Sequence, residues 1–312
     1  MQDIWNEILK ANHIVITMHR RPDGDAIGSA LGLFNVLVSK KRVSLFNISK
    51  EIKREFGFLP GFDRIRDTLP GKFDLMITLD SASLDLVRIE RPDAKIINID
   101  HHKSNTNFGD WNLVDDTLPS CGEVVFKLLE SNQVKLNRPA ALCLYASLAS
   151  DTNFFTTDRV DADTFATAAK LLAYDISPYE VAREITKNRP LSQVRLNGEA
   201  LSRFALYADG QVASVIVDTG MQQRTAGTLL ESDQIADELL NLATVKVGIM
   251  LYEVEGRGVK VSMRGKDRVD LSEVAARYGG GGHKNAAGIF VKGVDPAEFE
   301  KVLLEDLRGL LS

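Results

Sequence analysis

Four near-continuous apolar runs, His13 to Met18, Val43 to Ile48, Leu75 to Leu79 and Ile96 to Ile99, fall within the first third of the chain. They do not alternate apolar with polar residues, so each predicts a strand buried on both faces, as in a parallel sheet covered by helices on either side. The intervening segments supply those helices. Ala26 to Val38 is apolar at helical spacing, and Ser120-Cys121-Gly122-Glu123 reads as a capping box opening a helix to about Glu130. Asp161 to Thr186 continues in helical pattern until Lys187-Asn188-Arg189-Pro190 interrupts it, which marks a domain boundary.

A chain of 312 residues exceeds one ordinary core. The expected fold is α/β with two domains: residues 1–187, a linker helix over 188–210, and residues 211–312, with a cleft between the domains. Beyond the boundary the pattern predicts a helix to about Tyr207, then strands at Val212 to Val217, Val245 to Tyr252 and Val259 to Met263. Asp270 to Glu273 opens a short helix and Asp295-Pro296-Ala297-Glu298 a C-terminal one, giving a smaller α/β domain on a mixed sheet.

Charge narrows the partners. The formal net charge of −5 argues against a general duplex-coating protein, so any nucleic acid handled is expected to be short. The two cysteines, Cys121 and Cys143, lack metal-site or disulfide spacing and read as small packed side chains in a reducing, cytoplasmic setting. The start, Met1-Gln2-Asp3-Ile4-Trp5-Asn6-Glu7, has no basic signal-peptide region, and no stretch has the length of a membrane span.

Carboxylates and imidazoles collect where apolar elements end. His19-Arg20-Arg21-Pro22-Asp23-Gly24-Asp25 follows the first run, Asp80 the third and Asp100-His101-His102 the fourth, while Asp151 closes the apolar stretch from Ala140 to Ser150. Open α/β sheets present ligands at the carboxyl ends of their strands. Any one segment alone reads equally well as a turn or an N-cap. Together they offer enough hard oxygen and imidazole for two divalent ions, Mn2+ first, with Mg2+ or Co2+ as substitutes. Farther along, Gly279-Gly280-Gly281-Gly282-His283, with Arg264, is suited to cradle an anion through backbone N–H groups, although a glycine run alone also describes a flexible loop.

His19 to Ser29, Leu79-Asp80-Ser81, Asp100-His101-His102 and Ser150-Asp151-Thr152 resemble, in order, the four signature motifs of the DHH phosphoesterases. Gly279 to Gly288 resembles the signature of the C-terminal domain associated with them. The short length resembles the stand-alone oligoribonuclease and pAp phosphatase branch. The resemblance implies that His19, Asp23 and Asp80 hold one metal and that Asp25, Asp80, His101 and Asp151 hold the other, with Asp80 as bridge. It further implies that His102 faces the substrate phosphate, that Asp100 orients a neighbouring histidine, and that Gly280, Gly281, Gly282, His283 and Arg264 grip the substrate. Such chemistry requires no protein nucleophile. One departure stands out: Asn153-Phe154-Phe155 follows Asp151-Thr152 where many relatives carry glycine and a basic or small residue. Those phenylalanines fit base stacking or core packing.

The expected activity is metal-dependent hydrolysis of short RNA or DNA oligonucleotides and of nucleotide phosphates such as pAp. A processive single-strand exonuclease would need a longer basic channel, and a pyrophosphatase or exopolyphosphatase would favour a second domain without the glycine run. A non-catalytic nucleotide sensor would be expected to lose metal ligands. Oligomeric state, a homodimer included, stays open.

Overall fold

The computed structural model describes residues 1–49, 52, 54–232, 234–266 and 269–311, with the backbone alone at Arg54, Leu230, His283, Leu310 and Leu311. It separates into two compact units, Met1–Asn188 and Arg189–Ser312.

The first unit is built on six strands: β1 (His13–Met18), β2 (Arg42–Phe46), β3 (Ile65–Arg66), β4 (Leu75–Leu79), β5 (Lys95–Asp100) and β6 (Trp111–Val114). All pair in parallel, in the order β3-β2-β1-β4-β5-β6. The order reverses between β1 and β4, which opens a crevice at their carboxyl ends. Helices α1 (Gln2–Lys10), α2 (Gly24–Leu37), α3 (Leu84–Val87), α4 (Cys121–Ser131), α5 (Arg138–Asp151), α6 (Ala162–Leu172) and α7 (Pro178–Thr186) complete the unit. The large core joins Ile14, Ile16 and Ile77 of the sheet to Leu31, Val124 and Leu144 of α2, α4 and α5. A smaller cluster containing Val15, Met76 and Ile96 fills the opposite face, so the central strands are covered on both sides as their composition requires. Each such side chain contributes about 1.5–3 kcal/mol by burial.

Glycine sets the distance between two of these helices. A Cβ at Gly28 would lie 2.6 Å from the Cys143 carbonyl oxygen and 2.7 Å from Ser147 Cβ, so α2 meets α5 backbone to backbone.

The second unit contains α8 (Leu191–Leu201), β7 (Ala205–Tyr207), β8 (Val212–Val217), α9 (Thr219–Thr225), α10 (Ile235–Leu240), β9 (Val247–Val254), β10 (Gly258–Gly265), α11 (Leu271–Arg277), β11 (Gly281–His283), β12 (Ala286–Lys292) and α12 (Pro296–Leu311). Its sheet runs β11-β12-β10-β9-β8-β7 and is mixed: β8 and β9 are parallel and the other pairs antiparallel. One face packs on α11 and α12 through Val261, Met263, Val274 and Leu303. The β8–β9 half of the other face packs on α8, α9 and α10 through Val215, Met250, Leu196, Met221 and Leu239.

Several expected boundaries move. The helix expected to reach Tyr207 stops at Leu201, because 205–207 pairs with β8 as an edge strand; Leu196 and Ala200 bury α8 in the second unit. Asp161 to Thr186 is two helices, the second begun by Ser177 and Pro178 at its cap and first position. Ser120 does accept from the Glu123 backbone N–H, but the Glu123 carboxylate turns to Thr167 Oγ1 at 2.9 Å, so half of the predicted capping box forms. Part of the glycine run is the strand β11. Cys121 and Cys143 are buried and free. No helix among the described residues is long and apolar enough to cross a membrane.

Candidate metal centre

The parallel sheet delivers its polar residues at adjacent strand ends. His19 follows β1, Asp80 follows β4, and Asp100, His101 and His102 end or follow β5. Asp80 leaves its strand at φ 52°, a left-handed conformation that costs a non-glycine residue about 1–2 kcal/mol. Its N–H donates to the Ile99 carbonyl at 3.0 Å, which anchors the turn to β5. Two helix ends complete the ring. Asp25 lies in the first turn of α2 and Asp151 is the last residue of α5, and the close α2–α5 packing carries both to His101.

His101 Nε2 lies 3.5 Å from each of Asp25 Oδ2, Asp80 Oδ1 and Asp151 Oδ2. His19 Nε2 is 3.6 Å from Asp80 Oδ2, and His102 Nδ1 is 3.4 Å from Asp80 Oδ1. Three groups of metal-competent atoms result: His19 with Asp23 and Asp80; Asp25 with His101 and Asp151; and Asp80 with His101 and His102. Asp80 belongs to two of them, with one oxygen toward each side. Its Oδ1 is buried without a hydrogen-bond partner, an arrangement that costs stability in a dry site unless a cation meets it.

Electrostatics point the same way. Burial raises the Asp25 carboxyl well above its ordinary range, and neighbouring Asp80 and Asp151 raise it further. Burial lifts Asp151 to about 7, with His101 opposing and Asp80 adding to the rise. Burial alone would lower His101, yet Asp80, Asp25 and Asp151 hold it at about 10. Asp80 is driven far below the carboxylate range despite burial, by the His101 and His19 imidazoles. A crowd of buried acids sharing protons with imidazoles fits hard divalent cations.

Neighbouring groups fix the orientations. The His101 Nδ1–H faces the Leu118 carbonyl at 3.2 Å, leaving Nε2 toward the carboxylates. Arg159, not anticipated from the sequence, donates from Nη2 to the carbonyls of Asp116, at 2.8 Å, and Leu118. Asp25 accepts from the backbone N–H groups of Cys121 at 2.7 Å and Gly122 at 3.0 Å and from the Ser147 hydroxyl, so it docks on the N-terminus of α4. Asp23 Oδ1 caps α2, accepting from Asp25 N and Ala26 N. Asp100 accepts from His102 Nδ1 at 2.7 Å and, through its other oxygen, from Asn105 Nδ2 at 2.5 Å. Asn105 Nδ2 also lies 2.8 Å from Asn98 Oδ1. Asn105 was missed because an asparagine in a polar loop carries no distinguishing pattern; its position five residues after a buried aspartate was the available signal.

After Asp151 the chain makes a turn of three left-handed residues, Asn153, Phe154 and Phe155, at φ 45°, 57° and 66°. Thr152 secures it, donating to the Leu148 carbonyl at 2.6 Å and accepting from Phe155 N at 3.0 Å. Phe155 stacks on Phe165 at 5.4 Å, and both Phe154 and Phe155 pack on the core. Of their two readings, packing is what the structure records.

In the second unit, cross-strand register sets Arg264, Ala286 and position 283 in one row, and Ser262, Gly288 and Gly281 in the next row of that face. Arg264 Nε lies 3.2 Å from Asp237. The His283 side chain lies outside the described residues.

Residues 13–148 match the DHH family, N-terminal domain, and residues 212–311 match the DHHA1 domain. The bifunctional oligoribonuclease and PAP phosphatase NrnA of Thermus thermophilus is 31% identical, over 98% of this chain and 93% of that protein. The chain belongs to the DHH family. The Bacillus subtilis protein of the same name is 29% identical over 95% of this chain and 94% of its own length. Among solved structures, an exopolyphosphatase-related protein from Bacteroides fragilis superposes on this DHH family chain with a TM-score of 0.90 at 25% identity, over 100% of this chain and 98% of that one.

Proposed function

We propose that this DHH family chain is a metal-dependent phosphohydrolase that cuts short oligoribonucleotides to mononucleotides and removes the 3′-phosphate of pAp. The observation that carries the reading is Asp80, buried and shared between two groups of ligand atoms, with an oxygen toward each. Relatives named as oligoribonucleases and PAP phosphatases that match nearly the full chain support the substrate class. In this reading His19, Asp23 and Asp80 hold one ion and Asp25, Asp80, His101 and Asp151 the other, Mn2+ by donor type. Two such ions, when bound, acidify water and neutralise phosphoester oxygens.

The chain's own groups do the rest. His102, aligned by Asp100 through Nδ1, presents Nε2 to the substrate phosphate, where it holds a proton against the phosphoryl oxygen. Gly281 supports a substrate role for the glycine run in the second unit. Cβ atoms at Gly280 and Gly282 would lie 2.3 Å from the carbonyl oxygens of Gly288 and Ala286, so the fold itself demands those glycines. A Cβ at Gly281 meets nothing within 4 Å, so packing leaves it free for a ligand's approach. Arg264 supplies a cation in that row.

Phosphate release from pAp, pApA, a 5-mer, a 24-mer and pyrophosphate in Mn2+ tests the reading. The acidic net charge predicts highest kcat/KM on the dinucleotide and 5-mer, because few phosphates are contacted. Asp80→Ala or His101→Ala must lower kcat more than about tenfold, or 1.4 kcal/mol. Faster turnover per chain on the 24-mer than on the dinucleotide would replace this reading with a processive exonuclease, and a preference for pyrophosphate would replace it with a pyrophosphatase.

A further inference from the structure

Asp25, His101 and Asp151 form one group of metal-competent atoms although they stand far apart in the chain. The loop from β6 to α4 orients two of them. Its Leu118 carbonyl faces His101 Nδ1 at 3.2 Å, and the Cys121 and Gly122 N–H groups that follow it donate to Asp25. The third, Asp151, ends α5, and the connection from there to α6 carries Arg159. The Arg159 guanidinium is directed onto that same loop: Nη2 donates to the carbonyls of Asp116, at 2.8 Å, and of Leu118, and Nη1 stands 3.3 Å from His101 Nδ1. Among the described residues its hydrogen bonds end on this loop and on His101, and on no carboxylate, so it is not a surface ion pair. One planar fork thus ties the chain beyond the third ligand to the loop that orients the other two.

We infer that Arg159 is a positioning residue: it holds the Leu118 carbonyl against His101, so that the ring carries its proton on Nδ1 and offers a bare Nε2 to a cation. The inference rests on the two-ion reading above and adds what makes one of the two sites competent. Two arrangements of the ring are open to this geometry. A bare Nδ1 could accept from Arg159 Nη1, but the neutral ring would then carry its proton on Nε2, where the three carboxylates lie. With the proton on Nδ1, the Leu118 carbonyl accepts from both His101 and Arg159, as its two lone pairs allow, and Nε2 is left free. Only the second arrangement serves a cation, and it depends on the carbonyl staying where the guanidinium fixes it. The planar fork matters as well as the charge, because its donors diverge at a fixed angle onto two carbonyls of one loop.

Two readouts without turnover test this. In EDTA, NMR of protein with isotope-labelled histidine is expected to show a slowly exchanging His101 Nδ1–H, whose exchange becomes at least about tenfold faster in Arg159→Ala. In Mn2+ titrations followed by EPR, Arg159→Ala is expected to weaken one of two bound ions about 10- to 100-fold and leave the other unchanged. Arg159→Lys, which keeps the charge and loses the fork, is expected to recover only part of that loss, and it carries the same comparison should Arg159→Ala fail to fold. In kinetics on pAp at saturating Mn2+, KM is expected to stay within about twofold, because a positioning residue does not touch substrate. The inference is overturned if His101 Nδ1 carries no proton in the wild type, if Arg159→Ala leaves that proton and both Mn2+ affinities unchanged, or if Arg159→Lys binds Mn2+ as the wild type does. A raised KM with unchanged Mn2+ binding would overturn it too, by making Arg159 a substrate contact. Failure of the wild type to bind Mn2+ would instead sink the proposed function, while the imidazole proton in EDTA would still decide whether Arg159 holds the carbonyl on His101.

Discussion

Asn105 shows how much of a site rests on residues that touch no substrate. Its amide grips Asp100, which in turn fixes the His102 ring. Asn105→Ala is expected to lower kcat about 10- to 100-fold while metal content and KM hold, because only the imidazole's aim is lost. Steady-state kinetics beside metal analysis checks this; loss of metal would show that Asn105 supports the ligands themselves. The ionisable groups predict a pH dependence of metal-free stability. Asp151, raised to about 7, keeps in the folded state a proton that the unfolded chain releases near the ordinary carboxylate value, so stability falls as pH rises between those points. His101, raised to about 10, contributes stability that is full below its ordinary value of 6.5 and disappears as pH rises toward 10. Asp80, depressed, stabilises at every pH above the ordinary carboxylate range and acts only in acid. Melting in EDTA should therefore drop steadily from pH 5 to pH 9, and Mn2+ should raise Tm more at pH 8 than at pH 6, since binding displaces the shared protons. A flat profile in EDTA would contradict the coupled acid–imidazole cluster. At this scale the cluster of acids and imidazoles was legible because they stood at the ends of apolar runs; Asn105 and Arg159 were not, because their contacts arise only from loops folded back on the strands.

Elements place what residues supply. The approach of α2 to α5 at Gly28 brings the first turn of one helix and the last of the other to the same imidazole. Gly28→Ala should cost about 1–3 kcal/mol by overpacking, and because the strain separates Asp25 from Asp151 it should weaken Mn2+ binding as well. Denaturant titration with and without Mn2+ measures both; a stable variant with unchanged metal affinity would show the contact to be incidental. The parallel strands were readable from the sequence because burial on both faces leaves an unbroken apolar run. Short edge strands carried no such signature: β6 is half-buried throughout, and β11 is made of residues that also describe a loop. The break between α6 and α7 was obscured because apolar spacing resumes in helical phase on either side of 173–177.

For the molecule as a whole, two units were legible from length and from the change in pattern near Pro190, and the five motifs identified the family before any geometry. What the sequence did not disclose is the energetic character of the site. Asp151 is an anion at the C-terminal end of a helix, where the backbone dipole opposes it, followed by three left-handed residues and facing the buried carboxylates of Asp25 and Asp80. Local folding rules are broken there, as the proposed cation site requires. Activity and robustness therefore pull in opposite directions at one position. Asp151→Asn should be inactive yet melt higher than the wild type in EDTA at pH 8, by roughly 2–4 °C for each kcal/mol of repulsion relieved. Calorimetry of the two metal-free proteins decides it, and a lower Tm for the variant would refute the trade-off. Random variants of this enzyme selected for heat resistance alone, without metal, would then drift toward catalytic silence, and those that kept their activity would have to find their gains elsewhere in the chain.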